Sequence, residues 1–253
     1  MVIEAPERAP AAVTVAARAL HATKVFGSGA TEVRALDDVT VDFEAGRMTA
    51  IMGPSGSGKS TLLQCMAGLD SLTSGAVFID DVELGRLDDR RLTRLRRERI
   101  GFIFQAFNLV PTLTARENIT LPLALGGKPV DPEWMDVLVR ALRLEDRLRH
   151  RPSELSGGQQ QRVAAARAMI TRPVLIFADE PTGNLDSKSA TEMLEMIRSA
   201  VDDFGQTVVM VTHDPRAASF ADRVDFVADG RIREQVDHPT MGGILDELKR
   251  LGV

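Results

Sequence analysis

Residues 53–61 read Gly53-Pro54-Ser55-Gly56-Ser57-Gly58-Lys59-Ser60-Thr61, and the rest of the chain can be interpreted from this stretch. It fits the P-loop pattern G-x-x-x-x-G-K-[ST], whose glycines let the main chain fold into a cup of N–H groups for phosphate oxygens. The amine of Lys59 can reach the outer phosphates, and the hydroxyl of Ser60 can bind Mg²⁺. The residues expected to bind a nucleoside triphosphate here are Gly53, Ser55, Gly56, Ser57, Gly58, Lys59, Ser60 and Thr61.

The sequence on either side of this loop has the context that a P-loop requires. Residues 48–52 form a short apolar run typical of a buried strand, and residues 61–68 predict a helix that ends at Gly68. The N-terminus of such a helix adds a partial positive charge beside bound phosphates. A flexible Gly/Ser turn would lack this frame, so the pattern indicates triphosphate binding without showing which reaction follows.

Length, composition and charge limit the classes of protein to consider. A chain of 253 residues with 44% hydrophobic residues can bury a sizeable core, in one large domain or two small ones. The net charge of −5 argues against nucleic acid as a partner. No apolar run approaches the roughly 18 residues of a membrane span, and residues 1–10 lack the pattern of a signal peptide. The single cysteine, Cys65, excludes an internal disulfide bond and favours a reducing cytoplasm.

Hydrophobic periodicity predicts alternating strands and helices. Residues 1–12 are rich in Ala, Pro and Glu, which predicts a disordered tail. Near-continuous apolar runs at 173–178 and 207–213 predict strands buried on both faces, as in a parallel sheet. The other predicted strands are 13–20, 33–43 (two stretches broken at Asp37-Asp38), 75–81, 100–105 and a hairpin at 224–232. The predicted helices are 88–98, two or more within 113–150 with Thr114 and Glu117 capping the first, 156–170, 187–204 and 240–251.

Residues 88–99 are unusually rich in arginine. That density would suit a phosphate-binding or membrane-surface helix. The acidic residues Asp88, Asp89 and Glu98 dilute the charge, so we favour a solvated helix whose buried side carries Leu92 and Leu95.

Two adjacent carboxylates follow one of the buried strands. Asp179 and Glu180 come directly after four hydrophobic residues. In open α/β sheets, ligands bind at the carboxyl edge of the strands, where the P-loop also begins. We therefore expect Asp179 to hold Mg²⁺ through water and Glu180 to polarise the attacking water, although an isolated Asp-Glu pair would suit an ordinary turn.

Two further strands end in polar side chains at the same edge. His213 can donate a hydrogen bond to a γ-phosphate, although a lone histidine would more often be structural. Gln105 can offer its side-chain carbonyl to Mg²⁺ or to the attacking water, and taken alone it would be uninformative.

Ser156-Gly157-Gly158 marks a second glycine-rich start of a helix. Its free N–H groups can bind phosphate oxygens. Ser156 with Gln159 would also form an ordinary capping box, but capping alone does not explain two consecutive glycines.

Taken in order, these motifs resemble those of the ATP-binding-cassette (ABC) ATPases. Leu155-Ser156-Gly157-Gly158-Gln159 is similar to the signature of that family, and the matching motifs are the P-loop, Gln105, Asp179-Glu180, Asp186 and His213. The likeness covers about residues 13–232. It implies an α/β fold, a P-loop NTPase with a RecA-like core, an antiparallel β-subdomain and an α-helical insert at about 106–165. Residues 233–253 would form a C-terminal extension with a short helix.

The resemblance also implies how the sites are assembled. Two subunits would pair head to tail around two ATPs, each lying between one P-loop and the other subunit's signature. Phe26 would stack on adenine, where the family more often has tyrosine. The other implied nucleotide contacts are Gln105, Ser156, Gly157, Gly158, Gln159, Asp186 and His213. The implied catalytic residues are Glu180, His213, Gln105 and Lys59, and the implied Mg²⁺ ligands are Ser60, Gln105 and Asp179.

Within the family, the chain is most similar to the group of MacB, LolD, FtsE and the BceA-like bacitracin exporters. Residues 32–36, 100–109 and 178–186 carry this likeness, and 213–218 favour the bacitracin- and macrolide-exporter branch. Such ATPases pair with a separate FtsX-like or MacB-like permease. The likeness implies a cytoplasmic subunit on the inner face of the plasma membrane, with residues 107–113 receiving the permease's coupling helix.

Other classes of ABC protein compete with a transporter subunit. A soluble ATPase, for example in iron–sulfur assembly, is the main alternative, and co-purification with a multi-spanning membrane protein would discriminate the two. DNA-maintenance types carry a long coiled-coil insert and ribosome-associated types usually carry two cassettes, and this sequence shows neither. The cargo, which could be a drug, an antimicrobial peptide or a lipoprotein, stays open, as does purely mechanical signalling.

Overall fold

The computed structural model describes residues 14–252, in which two sheets pack together with helices around them. The predicted disordered tail at residues 1–12 lies outside this part of the chain. Within it, no helix is both long enough and apolar enough to span a membrane.

The strands divide between an antiparallel sheet and a largely parallel one. The first contains β1 (Val15–Phe26), β2 (Val33–Glu44), β4 (Ser74–Ile79) and β5 (Val82–Glu83), in the order β2-β1-β4-β5. The second contains β3 (Met48–Met52), β6 (Ile100–Phe104), β7 (Leu175–Asp179), β8 (Thr207–Val211), β9 (Arg223–Ala228) and β10 (Arg231–Asp237), in the order β10-β9-β3-β8-β7-β6. Strands β9, β3, β8, β7 and β6 run parallel, and β10 pairs antiparallel with β9.

The helices connect these strands and cover the second sheet. They are α1 (Lys59–Met66), α2 (Asp89–Arg99), α3 (Ala115–Leu125), α4 (Pro132–Ala141), α5 (Gly157–Met169), α6 (Ser187–Phe204), α7 (Pro215–Ala218) and α8 (Met241–Arg250). The prediction for 187–204 is confirmed, and α6 ends at Gly205 in the left-handed conformation. In α3, the predicted capping box is present, with the hydroxyl of Thr114 accepting from the N–H of Glu117.

The core lies on both faces of the second sheet, as the apolar runs predict. Every residue of β8 is buried. Successive side chains of a strand point to opposite faces, so Val208 and Met210 pack in the cluster with α5 and α6, while Val209 and Val211 pack in the cluster with α1 and the antiparallel sheet. The predicted doubly buried strands are therefore confirmed.

The second strand differs from its prediction. The sequence predicts two short stretches broken at Asp37-Asp38, whereas β2 is one strand of 12 residues. Asp38 takes a left-handed conformation (φ 57°) where the pairing with β1 shifts, and its carboxylate lies 2.8 Å from Nδ1 of His21. The acidic pair therefore marks a bulge, because a β-bulge absorbs an irregular residue without ending the strand.

The arginine-rich segment forms α2, as the solvated-helix interpretation predicts. Asp88 caps it, Leu95 is buried, and Leu92, also predicted on the buried side, is partly buried. Several of its arginines bond to neighbouring protein groups, among them Arg96 to the carbonyl of Gly68 and Arg97 to that of Leu125.

The subdivision of the chain stays a prediction. Strand β10 continues past residue 232 to Asp237, while α8 lies within 233–253. Helices α3 and α4 lie within 106–165, and α5 continues to Met169.

Candidate nucleotide-binding site

Four parallel strands end at one edge of the second sheet. The register pairs Phe104 with Asp179, Asp179 with Val211, and Val211 with Ile51, so β6, β7, β8 and β3 stop level with one another. The predicted site residues that follow these ends are Gln105, Glu180, His213 and Gly53. The parallel sheet thus brings together groups that are far apart in sequence, at the edge where such sheets bind ligands.

Two glycines of the loop after β3 lie where a side chain could not fit. A Cβ atom on Gly53 (φ 148°) would overlap the carbonyl oxygen of Val227, and one on Gly58 (φ 104°) would overlap that of Ala35. Among residues 14–252, no side chain caps the N-terminus of α1 at Gly58. The first N–H groups of this helix are therefore available to an anion, and the loop fits phosphate.

The amine of Lys59 turns back onto the loop. Its Nζ donates to the carbonyl oxygens of Gly53 at 2.9 Å and Pro54 at 2.7 Å. Burial lowers the pKa of Lys59, while the nearby carboxylates of Glu180 and Asp179 act in the opposite direction. Anionic phosphate oxygens would favour the charged amine more than neutral carbonyls do, so this position suits a triphosphate.

The turn between β9 and β10 braces the loop from outside. Gly230 donates its N–H to the carbonyl of Ser57 at 3.0 Å, and accepts from the N–H of Asp37 of β2 at 2.9 Å. Ser57 is buried, and among the described residues its hydroxyl has no hydrogen-bond partner. A buried polar group without a partner is unusual, and a bound ligand is one explanation for it.

Next to the loop, Asp179 and Glu180 occupy different environments. Burial and the neighbouring Glu180 raise the pKa of Asp179, while Lys59 opposes the shift. Glu180 has a left-handed backbone (φ 47°) fixed by its N–H, which donates to the carbonyl of Val211 at 2.9 Å. A residue held in this region stores strain, which is common at functional sites.

His213 contacts Glu180 directly. Its Nδ1 lies 2.8 Å from Oε1 of Glu180, and the ring is largely exposed. With the proton on Nδ1, the histidine donates to the carboxylate and fixes its orientation. Nε2 can then donate to a phosphate when the ring carries both protons. Glu180 and His213, two of the four residues that the resemblance implies for catalysis, thus form one hydrogen-bonded pair.

Gln105 is held by a residue that sequence reasoning missed. The Nδ2 of Asn184 donates to the main-chain carbonyl of Gln105 at 2.9 Å, and the Oδ1 of Asn184 accepts from the Gln105 side chain at 3.3 Å. The Gln105 amide also lies so close to Gly183 that a Cβ atom there would displace it. The only sequence signal was the place of Asn184 within residues 178–186, which carried the likeness to the family without giving Asn184 a role.

Gln161 is a second missed residue. It is fully buried on α5, and its Nε2 donates to the carbonyl of Pro181 at 2.7 Å, just after the carboxylate pair. It thereby ties the signature helix to the end of β7. The sequence shows three consecutive glutamines at 159–161, and only the structure shows that Gln161 is the buried one, which therefore needs a specific partner.

The signature segment begins α5 with the predicted capping box. Ser156 Oγ accepts from the N–H of Gln159 at 3.3 Å, and Gln159 Oε1 accepts from the N–H of Ser156 at 2.9 Å. A Cβ atom on Gly158 would lie 3.1 Å from Oγ of Ser189, so close packing on α6 is one reason for this glycine. Gly157 has no such constraint. Among residues 14–252, no hydrogen bond joins 155–159 to the loop 53–61.

The last two predicted contact residues lie on other elements. Phe26 is the final residue of β1, with 43% of its surface exposed. Asp186 caps α6, where its carboxylate accepts from the N–H groups of Lys188 and Ser189. These bonds, that of Ser189 first, lower the pKa of Asp186.

The metal-binding capacity of this edge depends on the nucleotide. Among the described residues, no group of three or more His, Cys, Asp or Glu side chains could hold a metal ion alone. Mg²⁺ usually keeps few protein ligands and takes the rest from phosphates and water. Ser60, Gln105 and Asp179 offer the oxygen ligands that suit it.

Comparisons with known proteins agree with this geometry. The sequence pattern of the family described as ABC transporter matches residues 36–183. MJ0796 of Methanocaldococcus jannaschii, an ABC transporter ATP-binding protein, is 44% identical over 222 residues, which cover 85% of this chain and 94% of that protein. The macrolide export ATP-binding/permease protein MacB of Brucella melitensis is 45% identical over 83% of this chain, which spans 32% of its length.

A solved structure gives the same fold. The dimeric structure of MJ0796 in a post-hydrolysis state, bound to ADP and Pi, matches with a TM-score of 0.79 and 40% identity, covering 88% of this chain and 99% of that one. The fold is that of an ABC ATPase, a RecA-like P-loop core with an antiparallel β-subdomain and an α-helical insert. The chain therefore belongs to the ABC transporter family, as an ATP-binding protein of that family that hydrolyses ATP.

Proposed function

We propose that this chain is the ATPase subunit of a transporter, which dimerises head to tail around two MgATP and drives a separate FtsX-like or MacB-like permease. ATP hydrolysis by this subunit would drive the permease to export or extract a drug, an antimicrobial peptide or a lipoprotein, or to transmit a mechanical signal. The subunit acts in the cytoplasm on the inner face of the plasma membrane, held there by the permease. The observation that carries the chemistry is the hydrogen-bonded pair of Glu180 and His213 beside the phosphate loop.

Hydrolysis in this proposal divides between the residues at the sheet edge. Glu180 is the general base that polarises the attacking water, and His213 orients its carboxylate and contacts the γ-phosphate. Lys59 binds the outer phosphates. Mg²⁺, held by Ser60 and Gln105 and through water by Asp179, would neutralise phosphate charge. Phe26 stacks on the adenine ring.

The second half of each site comes from the other subunit. The N-terminus of α5 at Ser156, Gly157 and Gly158 presents N–H groups that suit a γ-phosphate, with Gln159 and Asp186 beside it. A two-fold axis would bring each signature to the partner's loop. The dimeric MJ0796 structure, bound to ADP and Pi, supports this arrangement.

The permease contact is supported by an apolar groove next to Gln105. Its lining includes Phe102, Phe104, Leu121, Pro122, Leu125 and Arg167. Leu125, which is 69% exposed, belongs to this lining, and a contiguous exposed apolar patch is typical of an interaction surface. MacB, whose name joins an ATP-binding and a permease function, supports a partner of that class. A soluble ATPase without a permease would have no such use for this groove.

Mixing two inactive variants tests the composite site. Lys59→Ala should weaken triphosphate binding, and Ser156→Arg should abolish hydrolysis while leaving ATP affinity of the monomer nearly intact. A mixed dimer keeps one intact site, made from one wild-type loop and one wild-type signature. We expect ATPase activity, or MgATP-dependent dimerisation, to return partly when the two variants are mixed.

The activity of each variant alone is the control for the mixture. The melting temperature of each variant without nucleotide shows that it is folded. Normal hydrolysis by Ser156→Arg alone, or no recovery on mixing two folded variants, would contradict the composite site. ADP in place of ATP should not support the dimer, because the signature needs the γ-phosphate.

A further inference from the structure

Lys24 is a buried charge that the proposed mechanism does not use. It lies on β1, two residues before Phe26, and its side chain is 10% exposed. Its Nζ donates to Oδ1 of Asp70 and to the carbonyl of Ser71, both at 2.7 Å. The same Nζ lies over the ring of Phe26, 4.8 Å from the ring centroid.

Asp70 connects this cation to the helix of the phosphate loop. Its N–H donates to the carbonyl of Gln64 in α1 at 3.3 Å, and α1 begins at Lys59. The hydrogen bond from Lys24 is the main reason that the pKa of Asp70 is lowered. The carboxylate therefore stays ionised and holds Lys24 in place. The end of β1 is thus tied to the element that carries the phosphate loop.

We propose that Lys24 is a positioning residue for the base: clamped by Asp70 and Ser71, its ammonium holds one face of the Phe26 ring and leaves the other face to the adenine. This inference rests on the proposed stacking of Phe26. It assigns to the Lys24–Asp70 pair a role in the affinity for the base, apart from any role in binding phosphate.

The physical reason lies in the charge distribution of the aromatic ring. The faces of a phenyl ring are negative, and they attract a cation within about 6 Å of the centroid. A cation on one face draws π-electron density toward itself, so the opposite face repels the π-electrons of a stacked base less. The contact also restricts the exposed ring before the nucleotide arrives, which lowers the ordering cost of binding.

The test compares a ligand that has a base with one that has none. ATP and inorganic tripolyphosphate, each with Mg²⁺, are titrated by calorimetry into the full chain and into Lys24→Met. We expect Lys24→Met to weaken ATP binding about 3- to 10-fold, from the usual strength of a cation–π contact. Tripolyphosphate should bind to Lys24→Met and to the wild-type chain equally well.

Phe26→Ala completes a double-mutant cycle. If Lys24 acts through the ring of Phe26, adding Lys24→Met to Phe26→Ala should weaken ATP binding no further. Arg18→Met is the matched control, because Arg18 lies on the same strand and is also ion-paired, to Asp42. It should leave both affinities unchanged.

The possible outcomes distinguish a failure of this inference from a failure of the proposed stacking of Phe26 on adenine. If Phe26→Ala weakens ATP binding but Lys24→Met does not, Lys24 has no role in positioning the base, and the proposed stacking of Phe26 on adenine is retained. If Lys24→Met weakens tripolyphosphate as much as ATP, it acts through the phosphate loop and the inference is wrong. If Phe26→Ala binds ATP as well as the wild-type chain does, the proposed stacking of Phe26 on adenine is wrong, and so is the inference that rests on it.

A second variant covers the case in which Lys24→Met does not fold. Asp70→Ala removes the carboxylate that holds Lys24, at a position whose side chain is 30% exposed. It should reproduce the loss for ATP and leave tripolyphosphate binding unchanged. The same affinity of Asp70→Ala and the wild-type chain for ATP would overturn the inference.

Discussion

At the scale of single residues, the neighbouring carboxyl groups of Asp179 and Glu180 lie in different surroundings and have different proposed roles. In the proposed mechanism Glu180 acts as a base, and its carboxylate lies within hydrogen-bond distance of His213. Asp179 is half-buried beside a second carboxyl group, and this raises its pKa. The two neighbouring carboxyl groups thus have different surroundings, which suits the different roles proposed for them.

Glu180→Gln should stop hydrolysis without stopping binding. The amide keeps the shape of the side chain and cannot accept a proton, and loss of a general base typically costs about 10²–10⁴-fold in rate. Phosphate release measures the rate, and size-exclusion chromatography with MgATP measures the trapped dimer. Turnover at the wild-type rate would remove Glu180 from this role.

Asp179→Asn should stabilise the nucleotide-free protein at neutral pH. The raised pKa of Asp179 means that its ionisation in the folded state costs stability, which is lost as the pH rises through that pKa; an amide has no such cost. The melting temperature without nucleotide should therefore be higher for Asn at pH 7.5, and the difference should shrink as the pH falls through the pKa of Asp179.

The same variant should bind Mg²⁺ poorly, so the additional stabilisation by MgATP should be smaller than in the wild-type chain. ATP with EDTA is the control, since it removes the metal from both proteins. A lower melting temperature of Asp179→Asn at neutral pH would contradict the predicted cost of the buried carboxylate.

At the scale of elements, Arg167 connects the signature helix to the segment after Gln105. It lies on α5 and donates to the carbonyls of Asn108 at 2.6 Å and Phe107 at 2.9 Å. Both of these residues have left-handed backbones, with φ near 50°. Burial lowers the pKa of Arg167. A strained turn close to Gln105, a proposed catalytic residue, is thus held by one desolvated guanidinium.

Arg167→Met should loosen this turn. Hydrogen bonds to a charged group contribute about 1.5–3 kcal/mol, so amide exchange at Phe107 and Asn108 should accelerate roughly ten-fold or more. Hydrogen exchange followed by mass spectrometry measures it. Arg167→Lys keeps the charge and should restore part of the protection. Unchanged exchange in the folded Met variant would show that the turn holds itself.

At the scale of the whole molecule, the groove beside Gln105 would place the proposed permease contact close to the proposed site of hydrolysis. Apolar side chains of β6 and α3 line it, among them Phe104 and Leu121, and β6 ends directly before Gln105. A partner seated there would contact the segment that Asn184 and Arg167 hold.

Leu125→Glu should therefore separate assembly from hydrolysis. The side chain is 69% exposed, so the charge should cost the isolated subunit little stability and no ATPase activity. Co-purification with an FtsX-like permease expressed beside it should be lost. Met241→Glu is the matched control, since Met241 is also exposed, at 50%, but lies on α8. Equal recovery of permease with both variants would place the contact elsewhere.

The sequence by itself determined most of the elements, and it indicated the chemistry. Strands β7 and β8 follow from apolar runs, α6 from its periodicity and Gly205, and the loop 53–61 from its glycines and Lys59. These signals are local, because each depends on residues within one strand, helix or turn. The order of the motifs then indicated the family, and with it a fold that the comparisons confirm.

Only the tertiary structure decided which groups meet. Gln105 and Asn184 are 79 positions apart, Lys24 and Asp70 are 46 apart, and Asn108 and Arg167 are 59 apart. No periodicity connects such pairs, since they meet only when the sheets and helices of the folded chain pack together. The predicted break in the strand at Asp37-Asp38 was wrong because it, too, depended on a distant part of the chain. Pairing with β1 outweighed the local preference of two aspartates for a turn, because strand pairing depends on the partner as well as on the strand.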